Sequence, residues 1–372
     1  MRGERNIYII PSLGYGGAES FLLRLIPFMG KENIIVTLYH TQFDKKRIKG
    51  IDVKYITLDL KRSTVKDYLK FIKLVFSLGR NDTIFSWLYV ADLLASLLKI
   101  LFFWKKFNVI WNVRNTVISI NEYSLIAYIS YNILRTILKN IPKKIIFNSK
   151  VSYMQHTLKG YDEQKSTIIY NGFQRYSKIK ENKNPDDSFN IICVARYHQQ
   201  KNHKLLFSSI QKLNQKYDCD FKLHLVGKGL SENNINLVKN LIKLQIYEKT
   251  ILYDLLDPII VHDLLSICDI KLLLSSYGES FPNVIAEAML YGTFPIATDI
   301  GDTQTIVSNF GDIISKNTSS EEISNIIYKY YLMKKNNLEI WKTKINECQK
   351  FASNRFGIEK SAKRYREVSN IC

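Results

Sequence analysis

The sequence SSYGESFPNVIAEAMLYGTFPIATD, Ser275–Asp299, predicts a loop, a short helix and a strand in direct succession. Gly278 suits the loop, and Pro282 suits the first position of a helix, where its missing N–H costs no hydrogen bond. The predicted helix covers Pro282–Tyr291, and Gly292 ends it. Parallel α/β sheets have this order of elements, and their ligands bind beyond the carboxyl ends of the strands.

Two glutamates belong to this stretch, Glu279 in the loop and Glu287 eight positions later in the helix. Ala286 and Ala288 flank Glu287 and leave space for a ligand. A carboxylate can accept two hydrogen bonds from a ribose diol, and the backbone N–H groups of Phe281–Val284 at the helix start favour an anion such as a diphosphate. The stretch therefore predicts a nucleotide-sugar site, with Glu279 near the hydroxyl groups of the sugar.

Short strands alternate with longer helices along the whole chain. The predicted helices include Gly17–Met29, Val65–Leu78 and Ala91–Trp104. The predicted strands are Asn6–Ile10, Asn33–Tyr39, Val53–Thr57, Thr83–Trp87, Val109–Val113, Lys144–Asn148, Asn190–Ala195, Lys222–Val226, Thr250–Tyr253, Ile270–Leu274, Phe294–Thr298 and Asp312–Ile314. This alternation predicts βαβ units in doubly wound parallel sheets.

A chain of 372 residues is too long for one ordinary core, so two domains are expected. We predict an acceptor-facing domain over 1–175 and a nucleotide-sugar-binding domain over 189–352, facing each other across a central cleft. The polar stretch 176–188 is the predicted linker. A C-terminal helix, 353–372, can cross back to the first domain.

Two further segments follow predicted strands and suit phosphate binding. Arg196 and Lys201 lie five residues apart in a loop that enters a helix, where a planar guanidinium and a point charge complement each other on a diphosphate. In Pro11–Glu19, Gly16 and Gly17 allow close approach of the backbone to a phosphate at a helix start. That second signal is weak alone, since a strand-to-helix turn needs glycine anyway.

The pattern E-x7-E, here Glu279 and Glu287, resembles the signature of the retaining glycosyltransferases of family 4, which have the GT-B fold. The resemblance implies that Glu287 binds the nucleotide ribose and Glu279 the donor sugar. The segment of Phe281, Pro282, Asn283 and Val284 would hold the diphosphate through the backbone N–H groups of its three non-proline residues. It also implies that Arg196 and Lys201 stabilise the leaving nucleoside diphosphate. Further donor contacts fall on Gly16, Gly17 and, beside the base, Gly227.

One position departs from the family pattern. Many relatives have a histidine where this chain has Arg114, followed by Asn115. A permanently charged arginine cannot act as a general base near neutral pH. Arg114 and Asn115 are therefore predicted to contact the acceptor or its phosphate, and the identity of a catalytic base stays open.

The net charge of +19 is concentrated in the first half of the chain. Residues 1–180 contain 29 Lys and Arg against 12 Asp and Glu, whereas residues 181–372 contain 24 against 22. Basic residues there accompany apolar ones, as in Lys45–Lys49, Leu93–Lys106 and Tyr123–Lys144. This composition is typical of a surface on anionic lipid, although core packing explains many of the apolar residues.

Cysteine and metal patterns exclude other classes. The five cysteines form no C-x-x-C pair, which fits a reducing cytosol rather than a disulfide framework. We expect no metal and no cofactor, because no Asp-x-Asp motif follows a strand and cationic groups can stabilise the leaving group. The longest apolar run falls short of the roughly 20 residues that span a bilayer.

The leading hypothesis is a hexosyltransferase that moves a sugar from a nucleotide donor, with UDP favoured, to a polyprenyl-diphosphate-linked saccharide in O-antigen or capsule synthesis. Its predicted location is the cytoplasmic face of the plasma membrane. A sugar-nucleotide 2-epimerase on a similar scaffold is the alternative, and it would act without an acceptor. A basic nucleic-acid-binding protein is the third hypothesis, although no nucleic-acid motif supports it.

Overall fold

The computed structural model describes residues 4–60, 65–116, 124–175 and 188–370. The chain divides into two compact units, Met1–Phe173 with Phe356–Cys372, and Gln174–Arg355. Each unit contains one parallel β-sheet with helices packed on it. The predicted linker, apart from Ser188, lies outside the described residues.

The first unit contains a seven-stranded parallel sheet in the order β3-β2-β1-β4-β5-β6-β7. Its strands are β1 Arg5–Ile10, β2 Glu32–Thr37, β3 Lys54–Thr57, β4 Thr83–Trp87, β5 Asn108–Val113, β6 Lys144–Phe147 and β7 Ser166–Ile168. Its helices begin with α1 Gly17–Leu25, α2 Asp44–Ile48, α3 Val65–Ser77, α4 Tyr89–Leu101, α5 Leu125–Thr136 and α6 Lys150–Leu158. A 3₁₀ turn, Phe103–Lys105, follows α4.

The second unit contains a six-stranded parallel sheet in the order β10-β9-β8-β11-β12-β13. Its strands are β8 Phe189–Val194, β9 Phe221–Val226, β10 Thr250–Tyr253, β11 Ile270–Leu273, β12 Phe294–Thr298 and β13 Asp312–Ile314. Its helices are α7 His203–Lys216, α8 Ile235–Lys243, α9 Pro258–Ile267, α10 Asn283–Leu290, α11 Thr303–Val307, α12 Ser320–Asn336 and α13 Leu338–Phe356.

Helices cover both faces of the first sheet, because alternate residues of β1 enter two different cores. Ile7 and Ile9 pack with residues of α3, α4 and α5. Tyr8 and Ile10 pack with α1 and with a last helix, α14, Ile358–Asn370. Such period-two burial is expected of a strand buried on both faces.

The structure confirms the predicted fold class of two doubly wound parallel sheets. Every predicted strand is present within two residues of its expected ends, and β7 is the strand that the sequence analysis missed. The predicted position of Pro282 is wrong by one residue, because Pro282 caps α10 and Asn283 begins it. The predicted end at Tyr291 shifts likewise to Leu290, and Gly292 follows with a φ of +70°.

Candidate active site

The loops after β8 and β11 meet in the second unit, because these two strands are neighbours in the sheet. The Lys201 ammonium and the Glu279 carboxylate form an ion pair between the two loops. Ser275 Oγ donates a hydrogen bond of 2.8 Å to the same carboxylate oxygen of Glu279. Both members of the pair are largely buried. The sequence predicted these residue types at strand ends, and the structure brings them into contact.

Gln200 ties the two loops together and connects Arg196 to them. The side-chain NH₂ of Gln200 donates to the backbone carbonyl of Tyr277 at 3.0 Å. The backbone carbonyl of Gln200 accepts from the Ser276 N–H at 2.8 Å. The side-chain oxygen of Gln200 also accepts from the exposed Arg196 guanidinium at 3.2 Å. Gln200 was not predicted, and its place between Arg196 and Lys201 was the only signal in the sequence.

Gly227 fixes the backbone that carries Arg196. It follows β9 with a φ of +141°, and an added Cβ would lie 2.2 Å from the carbonyl oxygen of Ala195. A non-glycine residue would therefore push the Ala195–Arg196 peptide away. This close approach explains the glycine, while a contact between Gly227 and the nucleotide base stays a prediction.

The loop that carries Glu279 is held at its other end by Gly301. An added Cβ at Gly301, where φ is +61°, would lie 2.5 Å from the carbonyl oxygens of Glu279 and Ser280. The Asp302 N–H donates to the Ser280 carbonyl at 2.9 Å. This packing positions the start of α10, in which Glu287 is half-buried. Of the predicted diphosphate segment, Phe281 and Pro282 are buried, and Asn283 and Val284 are half-buried.

A second lysine lies beneath this site. Lys271 is fully buried on β11, and its ammonium lies 3.4 Å from the carbonyl oxygen of Val194. Burial lowers the pKa of Lys271 to about 8; the nearby Cys193 thiol and the Glu287 carboxylate oppose this lowering, and Lys201 adds to it. A single lysine in an apolar strand was the only sequence signal, and the sequence analysis did not use it.

The glycine-rich loop Pro11–Glu19 lies in the first unit, where Arg47 on α2 holds it. The Arg47 guanidinium donates to the Gly14 carbonyl and, at 2.9 Å, to Ser20 Oγ. It also lies 5.0 Å from the ring centroid of Tyr15. The charge of Arg47 is thus used inside the unit, whereas Lys45, Lys46 and Lys49 of the predicted basic cluster are exposed, and a contact of that cluster with lipid stays a prediction.

Gly16 is the N-cap of α1 and packs against Glu19. A Cβ on Gly16 would lie 2.1 Å from Glu19 Oε2, so a larger residue there would displace the Glu19 carboxylate. Burial raises the pKa of the Glu19 carboxyl, and the charge of Arg47 partly opposes this. Gly17 begins the helix itself. Donor contacts by Gly16 and Gly17 stay predictions.

Arg114 lies inside the first unit. Its guanidinium donates to Asn171 Oδ1 at 2.7 Å and to the hydroxyl of Tyr365 on α14. The aromatic rings of Phe21 and Trp87 lie 4.9 and 5.1 Å from it. These contacts give Arg114 a structural task that the sequence analysis did not foresee, because they hold α14 on the sheet.

Asn115 lies next to Arg114 in a half-buried position. Its carbonyl accepts a hydrogen bond of 2.5 Å from Ser152 Oγ on α6. The contacts of Arg114 and Asn115 are therefore internal ones, and an acceptor contact by either residue stays a prediction.

The described residues contain no cluster of three or more His, Cys, Asp or Glu side chains that could hold a metal ion. Cys193, Cys219, Cys268 and Cys348 are buried free thiols, and Cys372 lies outside the described ranges. Among the helices in those ranges, none has the length and apolar character that a membrane span requires.

A family model matches most of the second unit. The family described as "Glycosyl transferases group 1" matches residues 174–346. A relative described as "Uncharacterized 41.2 kDa protein in cps region" of Klebsiella pneumoniae is 24% identical over 220 residues, which cover 57% of this chain and 57% of that protein. The match thus spans less than two thirds of that relative's length.

Solved structures resemble nearly the whole chain. Anabaena HepE in complex with UDP and glucose has a TM-score of 0.77 at 19% identity, covering 99% of this chain and 100% of that one. HepE has also been solved in complex with UDP-glucose. WaaG, described as a glycosyltransferase involved in lipopolysaccharide biosynthesis, has a TM-score of 0.72 at 11% identity, covering 98% of this chain and 99% of that one.

The two parallel-sheet units have the GT-B fold of glycosyltransferases. Residues 174–346 match the family described as "Glycosyl transferases group 1", and we refer to them as the group 1 domain. The Lys201–Glu279 pair and the Arg196 loop lie in that domain.

Proposed function

We propose that the protein is a retaining hexosyltransferase that moves a sugar from a UDP-linked donor to a lipid-linked saccharide. The observation that supports it best is the Lys201–Glu279 ion pair, which joins two strand-end loops of the group 1 domain. In the pair, the charge of Lys201 neutralises that of Glu279. A nucleotide-sugar donor offers its anionic diphosphate to Lys201 and the hydroxyl groups of its sugar to Glu279.

The proposed roles follow from the chemistry of each group. Lys201 and the exposed Arg196 bind the diphosphate, and the N-terminal turn of α10 adds its positive dipole end. Glu279 accepts hydrogen bonds from the donor sugar, and Glu287 accepts them from the ribose. HepE has been solved with UDP-glucose on the same fold, which supports a UDP-linked donor here.

The proposed reaction exchanges one bond at the anomeric carbon for another. The bond from the anomeric carbon to the diphosphate oxygen breaks, and a bond to an acceptor hydroxyl oxygen forms on the same face. The acceptor proton passes to the departing diphosphate, so no protein base is required. Lys201 and Arg196 stabilise the negative charge that develops on the leaving group, which is the task of a metal ion in other enzymes.

The proposed acceptor is a polyprenyl-diphosphate-linked saccharide in capsule or O-antigen assembly. The cps region named for the Klebsiella relative and the lipopolysaccharide pathway named for WaaG support this choice. The basic first unit supports a location at the cytoplasmic face of the plasma membrane, where such acceptors present anionic diphosphates.

The test is a transfer assay with a panel of nucleotide sugars and a polyprenyl-diphosphate-linked acceptor, in buffer with and without a chelator. We expect Lys201→Met to lower the initial rate by about 10²-fold or more, because it removes charge stabilisation of the leaving group. Arg196→Gln and Glu287→Gln should lower it as well. Lys204→Met is the matched control, since Lys204 is an exposed lysine at the start of α7, and it should retain the wild-type rate.

Wild-type rates in the Lys201, Arg196 and Glu287 variants would refute this assignment of the site. Conversion of the donor to an epimer without an acceptor would identify a 2-epimerase instead. Tight, steeply salt-dependent binding to DNA or RNA with no response to nucleotide sugars would favour the nucleic-acid hypothesis. Loss of activity in the chelator would contradict a metal-independent reaction.

A further inference from the structure

The outer sides of α3 and α4 in the first unit expose large apolar residues. The buried sides of both helices already pack on one face of the sheet, through residues such as Leu74 and Leu98. On the outside, Ile72, Phe76, Leu97 and Leu101 are exposed, and Phe103 and Trp104 follow α4. We call these six residues the apolar face. Helices at a protein surface normally expose polar residues on that side, so the apolar face needs a partner.

The centre of the apolar face is a cluster of aromatic rings. Phe76 is 61% exposed, Phe103 71% and Trp104 57%. The rings of Phe76 and Trp104 each lie 5.5 Å from the ring of Phe102, and those of Phe103 and Trp104 lie 5.4 Å apart. The rings of the turn after α4 therefore pack on one another and, through Phe76, on the end of α3.

Positive charge surrounds the aromatic cluster. Between residues 65 and 106 the sequence contains seven Lys and Arg against three Asp, and Asp82 and Asp92 are buried. Lys70, Lys73 and Lys106 are exposed, and the Lys70 ammonium lies 3.5 Å from the carboxylate of Asp67, which offsets part of this charge. Lys105 binds back to the cluster, since its ammonium donates to the Phe76 carbonyl at 2.6 Å.

The same charge pattern continues along the chain into α5. Residues 124–159 contain six Lys and Arg and no Asp or Glu. The helix α5 packs beside α4 in the same core and exposes Ile126 and Ile129. This stretch of the sequence therefore contributes positive charge only, and the next acidic residues are Asp162 and Glu163.

We infer that the apolar face docks the first unit on an anionic lipid bilayer, with Phe103 and Trp104 entering the headgroup region. Aromatic rings favour this region of a bilayer, and lysines around them gain from the negative surface potential. A protein partner fits less well, because the cores of protein interfaces are depleted of lysine. The inference rests on the proposed function for its biological sense, whereas its test requires no catalysis.

Trp104 provides a direct probe of the docking. The chain has four tryptophans, and Trp87, Trp111 and Trp341 are buried. The full-length protein is mixed with vesicles of phosphatidylcholine alone or with added phosphatidylglycerol, and sedimentation and tryptophan emission are recorded. We expect a blue shift of the emission and co-sedimentation with the anionic vesicles only, both reversed by high salt.

Two variants separate the apolar from the electrostatic contribution. Phe103→Ser with Trp104→Ser should lower the vesicle-bound fraction by at least about tenfold, because it removes the inserting rings. Lys70→Gln, Lys73→Gln and Lys106→Gln together should lower affinity for anionic vesicles by roughly fivefold per charge. The control is Ile259→Ser with Ile260→Ser, which removes apolar residues of 55% and 47% exposure from the second unit and should bind as wild type.

Equal binding of the Phe103/Trp104 variant and wild type would overturn the inference. So would a concentration-dependent dimer in light scattering that this variant abolishes while vesicles leave the protein unbound. Lys201→Met should bind vesicles as wild type does, and the Phe103/Trp104 variant should still release UDP from a soluble donor. Failure of the docking inference is thus distinguishable from failure of the proposed enzymatic function.

Discussion

The two units share one architecture and differ in how they use their polar and apolar residues. They are nearly equal in length, yet the first contains 30 Lys and Arg against 14 Asp and Glu and the second 23 against 20. Among the described residues, 16 large hydrophobic side chains are exposed in the first unit and nine in the second. The second unit instead places its charges at strand ends, as in Lys201 and Glu279. The same architecture thus presents basic and apolar residues on the surface of the first unit and a pair of opposite charges in the strand-end loops of the second.

The largest effect we predict follows a single methyl group in the second unit. Gly227→Ala places a Cβ 2.2 Å from the Ala195 carbonyl at a φ of +141°, so the loop with Arg196 has to move. We expect a loss of at least about 4 kcal/mol in the free energy of unfolding. Thermal unfolding with and without UDP measures both stability and binding.

Gly79→Ala is the matched control for Gly227→Ala, because no atom lies within 4 Å of the added methyl group. Its free energy of unfolding should change by less than about 1 kcal/mol. If Gly227→Ala unfolds and binds UDP as wild type does, then the close packing at Ala195 does not position the site.

A smaller effect is predicted for Arg114→Met in the first unit. The change removes the hydrogen bonds that the guanidinium donates to the buried Asn171 and Tyr365, which should cost about 3 kcal/mol of stability. UDP binding to the second unit should be retained. Chemical denaturation followed by tryptophan emission reports on the first unit, since the Arg114 guanidinium lies over the ring of Trp87.

Arg80→Met serves as the control for Arg114→Met, because Arg80 is exposed in the same unit. If Arg114→Met retains full stability but no longer uses the lipid-linked acceptor, the acceptor role predicted from the sequence is correct and the structural one is not.

The smallest effect we predict is a gain in stability. Lys271 has a pKa of about 8 in the fold against 10.5 ordinarily, so the unfolded chain binds more protons between these two values. Stability of the wild type should therefore rise as pH increases from about 8 to 10.5. Below pH 8, Lys271 is charged in the fold, and the cost of burying its charge is present in full. Lys271→Met should remove this rise and stabilise the protein at pH 7 by on the order of 1–3 kcal/mol. Urea unfolding of both proteins at pH 7, 9 and 10.5 measures the free energy of unfolding. If it rises with pH equally in Lys271→Met and wild type, Lys271 is not the group responsible.

Sequence patterns were sufficient for the sheets because their strands are short apolar runs between more polar segments. Ile270–Leu274 and Phe294–Thr298 are predictable in this way. The strand β7 is not, because its three residues, Ser-Thr-Ile, are half-buried and give no periodic signal. The one-residue error at Pro282 reflects that proline is compatible with both the cap and the first position of a helix.

The candidate site was predictable in its residue types and not in its contacts. Lys201 and Glu279 are 78 positions apart, and only the adjacency of β8 and β11 brings them together. The charges of Arg47 and Arg114 are visible in the sequence, but their contacts are not, because these depend on how α2 packs against the glycine-rich loop and α14 against the sheet. Gln200 was overlooked since an uncharged amide gives no signal until both loops are in place.

The return of α14 to the first sheet has a consequence for biosynthesis. Ile358, Ala362, Tyr365 and Val368 complete a core that begins with β1, so the first unit needs residues from both regions of the chain. The second unit, Gln174–Arg355, is continuous and is translated in full before α14 leaves the ribosome. The group 1 domain can therefore finish folding first, whereas the unit that is translated first is completed last.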